Sequence, residues 1–190
     1  DYEPVPIGNN IVVYPDWKEP PADNKIYILV DPSIAFGCGN HETTKMCLEW
    51  LEQNVTKDST VLDYGCGTGI LTIGAVKLGA TYAEGIDIDP NSIESSIKNS
   101  TTNGVSNKTR FSDDVSDEEF DLVVANIFSN VLISLVDTIL YRLKHNGKIA
   151  LSGIIENQVD EVQKVFIKHG VTFDKPKQLG QWLLLDGVKE

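Results

Sequence analysis

Basic charge is what this chain has least of. Its 16 lysines and arginines face 28 acids, for a net charge of −12. A nucleic-acid surface needs a basic patch, so the balance argues against direct nucleic-acid contact. It suits solubility, and it suits a basic partner such as a basic protein substrate. Cysteine is scarce as well: Cys38, Cys47 and Cys66 are odd in number, and their spacings match no zinc pattern. They read as reduced thiols of a cytosolic protein, with no metal site. Long apolar runs are missing, and none approaches the ~20 residues of a membrane span. The first residues, DYEPVPIGNN, have neither the basic start nor the apolar stretch of a signal peptide. A cytoplasmic protein without membrane contact is expected. The lone methionine is Met46, so residue 1 is no initiator, and the chain reads as a piece of a longer protein.

The 190 residues, 41% apolar and 23% charged, have the size and balance of one globular domain. Residues 1–30 hold five prolines and short β-like pieces at 11–14 and 25–30, an extended lead-in. A helix is expected over 40–52, where Cys47, Leu48 and Leu51 share a face. From residue 60 strands and helices alternate. Strands are expected at 60–64, 82–87, 109–112, 120–126, 148–152, 171–175 and 181–186. Helices are expected at 69–78, 90–103, 129–143 and 156–169. The alternation predicts an open, mostly parallel α/β sheet. The last two strands have only a short connection, which permits antiparallel pairing but not a parallel crossover.

The stretch VLDYGCGTGILT, residues 61–72, carries the chemistry. It lies at the carboxyl end of the first regular strand, where open α/β sheets bind ligands. Its glycines, Gly65, Gly67 and Gly69, read G-x-G-x-G, with the third one place earlier than in the dinucleotide fingerprint. Glycines there let the backbone turn sharply and approach a ligand. Asp63 suits an ammonium better than a pyrophosphate. The loop therefore looks built for a zwitterion, and S-adenosylmethionine has such an amino-acid tail and no phosphate. Asp87, 20 residues beyond Gly67 and at the end of the next strand, can accept both ribose hydroxyls. Asp89 reads as the cap of the helix opened by Pro90. Ile88 is either one face of an adenine site or core.

With these motifs in place, the sequence resembles the class I S-adenosylmethionine-dependent methyltransferases, and within them the ribosomal protein L-eleven methyltransferase family. The resemblance is carried by DPSIAFGCGNHETT at 31–44, VLDYGCGTGILTIGAVKLGA at 61–80, GIDIDP at 85–90, FDLVVANI at 120–127, LSGIIENQ at 151–158 and GQW at 180–182. Ser33, Cys38, Asn40 and Glu42 depart from the family's usual first segment. The resemblance implies a Rossmann-like, twisted sheet of seven mostly parallel strands, with helices on both faces and an antiparallel C-terminal strand. It implies S-adenosylmethionine as cofactor and methylation of lysine or other amino groups of a protein, ribosomal protein L-eleven. It also implies a catalytic domain over 31–190, a lead-in over 1–30, and a small substrate-recognition domain ahead of both.

Asn126 ends the apolar strand FDLVVAN and should project toward the crevice, where its side-chain carbonyl could aim an acceptor amine; the alternative is a capping asparagine. By resemblance, Phe36, Gly37, His41 and Thr43 line the cofactor or acceptor pocket, His41 alternatively packing the start of its helix. Phe128 and Trp182 wall the acceptor pocket or belong to the core. Three other functions stay open: a small-molecule methyltransferase, a nicotinamide-dependent oxidoreductase, disfavoured by the early third glycine, and a cofactor-binding module without catalysis.

Overall fold

The computed structural model describes residues 3–31, 33, 41–114 and 116–190, and of His41 the backbone alone. The lead-in pleats into a small sheet of β1 (Val5–Ile7), β2 (Ile11–Pro15) and β3 (Ile26–Val30). β1 and β2 are antiparallel, and β2 and β3 parallel. Alternation decides which side is inward: Ile11, Val13 and Pro15 of β2 are buried while Val12 and Tyr14 are half-buried. The turn between β1 and β2 is held from outside, because Glu52 accepts from the backbone N–H groups of Asn9 and Asn10 at 2.8 and 3.0 Å.

Helix α1 (His41–Asn54) supplies Glu52 from its outer face and Met46, Leu48 and Leu51 from its inner one. Helix α2 (Ile70–Lys77) is apolar but for Thr72 and Lys77, and all of Ile70 to Val76 is buried. Such a helix must be covered all round. It lies against the small sheet, α1 and the main sheet, and Ile28, Leu48 and Ile73 share one core. Gly74 permits the approach, since a Cβ there would stand 2.8 Å from Leu48 Cδ2.

The main sheet contains β4 (Thr60–Tyr64), β5 (Tyr82–Ile86), β6 (Thr109–Ser112), β7 (Phe120–Asn126), β8 (Leu143–Ile155), β9 (Val171–Phe173), β10 (Lys177–Leu179) and β11 (Trp182–Lys189). Its order is β6-β5-β4-β7-β8-β11, and both β9 and β10 pair with the outer side of β11. The strands from β4 to β8 are parallel, and β11 is antiparallel to β8. This is the expected fold class. Among the described residues it has eight strands where seven were expected, because the connection after Pro176 itself forms β10. The chain runs outward from β4 to β6, then returns to β7 on the other side of β4. That reversal opens a crevice above the carboxyl ends of β4 and β7.

Helix α3 (Pro90–Thr102) begins as expected: Asp89 caps it by accepting from Asn91 N–H at 2.9 Å, and Pro90 opens it. The single helix expected over 129–143 is instead α4 (Ser129–Ser134) and α5 (Val136–Tyr141), broken where Leu135 takes φ −105° and ψ 9°. β8 is longer than expected, with a register shift opposite 120–122 that places Asn146 at φ 64°. Helix α6 (Val159–Lys168) follows it. Among the described residues no helix is long and apolar enough to cross a membrane.

Candidate functional site

Above the crevice lies a cavity of about 370 Å³. Each strand around the reversal contributes from its carboxyl end: Tyr64 and Gly65 from β4, Ile86 to Ile88 from β5, and Asp113 from β6. Asn126, Ile127 and Phe128 come from β7, Gly153 from β8 and Trp182 from the amino end of the antiparallel β11. Val131 and Leu135 of the broken helix close one side, so the break at Leu135 brings an apolar side chain to the wall.

The glycine bend is fixed by its own hydrogen bonds. Gly65 N–H and Cys66 N–H both donate to Ile86 O at 2.8 Å, and Gly69 N–H donates to Cys66 O at 2.8 Å. Gly67 N–H donates to Asp87 Oδ2 at 2.9 Å. A diphosphate cradle needs a row of free amides; here most of that row is already committed within the protein. Gly65, Gly67 and Gly69 all take left-handed φ, +80°, +55° and +82°. Gly65 also abuts Ile127 Cγ2, leaving no room for a Cβ.

Asp87 lines the cavity, and its other oxygen accepts from Asp89 N–H at 3.0 Å. Each carboxylate oxygen accepts more than one hydrogen bond, so both retain capacity for a ligand's hydroxyls. Ile88 is 92% exposed and Phe128 65% exposed at the cavity mouth, which removes the core-packing alternative for both. Trp182, half-buried, lines the cavity and packs on the inner core, so the two alternatives do not exclude each other.

Two buried side-chain oxygens among the described residues have no hydrogen-bond partner: Asn126 Oδ1 and Asp63 Oδ1. An unpaired buried acceptor costs about 1–3 kcal/mol, so each is a place where a donor would bind. Asn126 faces the cavity, and the capping alternative fails because α4 begins without any side-chain cap.

Asp63 does not line this cavity. It is 1% exposed and outside the cavity wall, and its Oδ2 accepts from Thr72 N–H at 3.1 Å and Thr72 Oγ1 at 2.8 Å. Burial pushes its pKa up to about 7, against the pull of the two Thr72 hydrogen bonds. The parity of β4 explains the placement: Val61 and Asp63 point toward α2, whereas Leu62 and Tyr64 point to the opposite face.

Gly67 and Gly69 shape the bend without lining the cavity. Thr43 is fully buried in α1 and is not among the residues that line the cavity. Phe36, Gly37 and the His41 side chain lie outside the described residues.

Sequence reasoning missed Asp113, Ile127 and Gly153. Asp113 could have been found by applying the strand-end rule to β6 as it was applied to β5. Gly153 had its own signal, a glycine inside a strand, which marks close backbone approach. A Cβ there would stand 2.6 Å from Ile127 O.

This sheet order, with its strand-end cavity and glycine bend, defines the Rossmann-like methyltransferase fold. A TehB-like SAM-dependent methyltransferase from Corynebacterium glutamicum shares it, with TM-score 0.61, 16% identity, and coverage of 76% of this chain and 86% of that one. A crystal structure of ribosomal protein L11 methylase from Lactobacillus delbrueckii subsp. bulgaricus superposes with TM-score 0.89 at 28% identity, covering 100% of this chain and 99% of that one. The family model "Ribosomal protein L11 methyltransferase (PrmA)" matches residues 1–190, and the chain belongs to that family. The ribosomal protein L11 methyltransferase of Burkholderia mallei is 46% identical over 188 residues, 99% of this chain. The chain spans 62% of that relative's length.

Proposed function

We propose that this chain is the catalytic part of an S-adenosylmethionine-dependent N-methyltransferase acting on lysine or other amino groups of a protein, with ribosomal protein L11 as substrate and the cytoplasm as its location. The observation that carries the proposal is the buried, unpartnered Asn126 Oδ1 at a cavity whose neighbouring wall, Ile127, Phe128, Val131 and Leu135, is apolar. That atom asks for an N–H donor. The residues also fit the cofactor. Asp87 offers both oxygens to vicinal hydroxyls, exposed Ile88 offers an apolar face to a base, and Asp113 offers an acceptor to an exocyclic amine. Asp63 Oδ1, orphaned at the end of β4, is the acceptor that an ammonium behind the bend would satisfy. The amides of the bend are mostly committed, which weighs against a dinucleotide and so against the oxidoreductase.

When bound, the cofactor supplies a methyl group activated by a sulfonium. The protein's work is positioning, because an in-line transfer depends on alignment. Asn126 Oδ1 accepts one amine hydrogen and leaves the nitrogen lone pair free to point across the cavity. Phe128, Val131 and Leu135 give that nitrogen an apolar surround. A lysine ammonium has a reference pKa of about 10.4. A dry wall disfavours its charged form and helps the proton leave to solvent before transfer. Within this reading, residues 1–30 are a lead-in and 31–190 the catalytic domain.

The test pairs binding with turnover. Calorimetry should show the chain binding S-adenosylhomocysteine and not a nicotinamide dinucleotide. Labelled cofactor with ribosomal proteins should mark L11, located by mass spectrometry. Asn126→Ala should keep cofactor affinity within about twofold and lose about 100-fold in turnover, the scale of one transition-state hydrogen bond. Label on small molecules alone would replace the protein substrate with a metabolite, and unchanged turnover in Asn126→Ala would remove the proposed role of that amide.

A further inference from the structure

We propose that Ser96, Asn99 and Asn103, none of which touches the cavity, are positioning residues for the cofactor: a polar stripe on α3 that sets the glycine bend and is itself anchored on β3. The inference rests on the cofactor reading given above.

The spacing puts Ser96 and Asn99 on one helix face, at i and i+3, and Asn103, which caps the C-terminus of α3, continues that face at i+7. Each uses its side chain on backbone belonging to another element. Ser96 is fully buried, and its hydroxyl donates to Gly67 O at 2.7 Å. Asn99 Nδ2 donates to Thr68 O at 2.9 Å. Asn103 meets both backbone groups of one strand residue: its Oδ1 accepts from Leu29 N–H at 2.8 Å, and its Nδ2 donates to Leu29 O at 2.8 Å. The same Nδ2 also donates to Asn99 O at 2.8 Å, tying the anchor to the helix turn that carries Asn99.

Gly67 is thereby held on both sides of its residue. Its carbonyl takes the Ser96 hydroxyl, and its N–H donates to Asp87 Oδ2 at 2.9 Å. Displacing α3 moves Gly67, and moving Gly67 turns the carboxylate that faces the cavity. At this end of the helix a cleft of about 110 Å³ is lined by Val30 and Asp31 together with Thr68 and Asn99. The stripe is a hydrogen-bonded link between the small sheet and the bend, beside the apolar packing of α2 on β3. Its polarity also has no helix-intrinsic cause: serine and asparagine are indifferent helix formers in a helix interior, and here their polar groups serve neighbouring backbone.

The experiment measures the dissociation constant for S-adenosylhomocysteine by calorimetry on the chain and on Ser96→Ala, Asn99→Leu and Asn103→Leu, with a melting curve for each. Loss of one buried hydrogen bond at the bend should raise the dissociation constant about tenfold in Ser96→Ala and Asn99→Leu. Asn103→Leu, whose nearest anchored partner is Leu29, should raise it severalfold. Asn99 is only half-buried, so Asn99→Leu keeps the test open if Ser96→Ala loosens the fold. Lower melting temperatures with unchanged dissociation constants would reduce the stripe to scaffolding and overturn the inference alone. No binding by the unaltered chain would overturn both the cofactor reading and the inference.

Discussion

Replacing Gly65 by alanine tests the architecture of the site at one atom. Gly65 holds φ +80°, and a Cβ built on it collides with Ile127 Cγ2. Two costs follow. The left-handed backbone disfavours an L side chain by about 1–2 kcal/mol. Pushing Ile127 off its rotamer adds about 1 kcal/mol. The unfolded chain returns about 0.4–1 kcal/mol, because alanine has less freedom to lose than glycine. The net loss should be about 2 kcal/mol, read as a shift in urea midpoint at constant slope. The two costs can be separated. Ile127→Ala removes Cγ2, so the double variant should recover the collision and keep the backbone cost, giving a coupling of about 1 kcal/mol. Cofactor binding should weaken in the single variant, since Ile127 stands next to Asn126 and against Gly153. A Gly65→Ala chain as stable as the parent, or an Ile127→Ala background that restores nothing, would refute the packing of the bend against the β7 loop.

Two further perturbations address buried charge. Asp63 has a folded pKa raised to about 7 from 3.8, so the folded chain holds its proton more tightly than the unfolded one. Its contribution is present at acid pH and is lost as pH rises toward 7. Between pH 5 and pH 8 that loss is roughly 3 kcal/mol, and Asp63→Asn should flatten the profile over the same window; parallel profiles would show the carboxyl to be solvated. Glu84, fully buried on β5, is met by Tyr82 Oη at 2.8 Å, Arg110 Nη1 at 3.1 Å and Ser116 Oγ at 3.0 Å. Arg110 is 46% exposed and keeps its solvent when Glu84 is removed, so Glu84→Ala should cost about 2 kcal/mol by leaving the Tyr82 and Ser116 hydroxyls without their acceptor, and Glu84→Gln about 1 kcal/mol, since it keeps an acceptor oxygen and loses the charge; a melting temperature unmoved by either would contradict the network.

Local order was legible wherever it depends on neighbours in the chain. Asp89 and Pro90 announce the start of α3 because capping involves only the first helical turn. FDLVVAN reads as a central strand because an uninterrupted apolar run fits a sheet covered on both faces. Gly65, Asp87 and Asn126 were found by one rule, that parallel strands present ligand groups at their carboxyl ends, and the cavity joins all three. Where the reading stopped short, the deciding partner lay far along the sequence. The break at Leu135 bears no proline or glycine. β10 exists because β11 offers it an open edge.

Sequence by itself determined the alternation of strands and helices, the left-handed glycines of the bend and the carboxylate at the end of β5, since each follows from backbone sterics or short-range hydrogen bonding. Tertiary structure alone decided that Asp63 turns away from the cavity toward Thr72, that Ile127 fills the space beside Gly65 and Gly153, and that α3 joins Gly67 to Leu29. The physical reason is burial. A side chain's surroundings depend on which remote segments cover it, and only the packed chain brings residue 29 and residue 67 within hydrogen-bonding distance of Asn103 and Ser96 on the same helix.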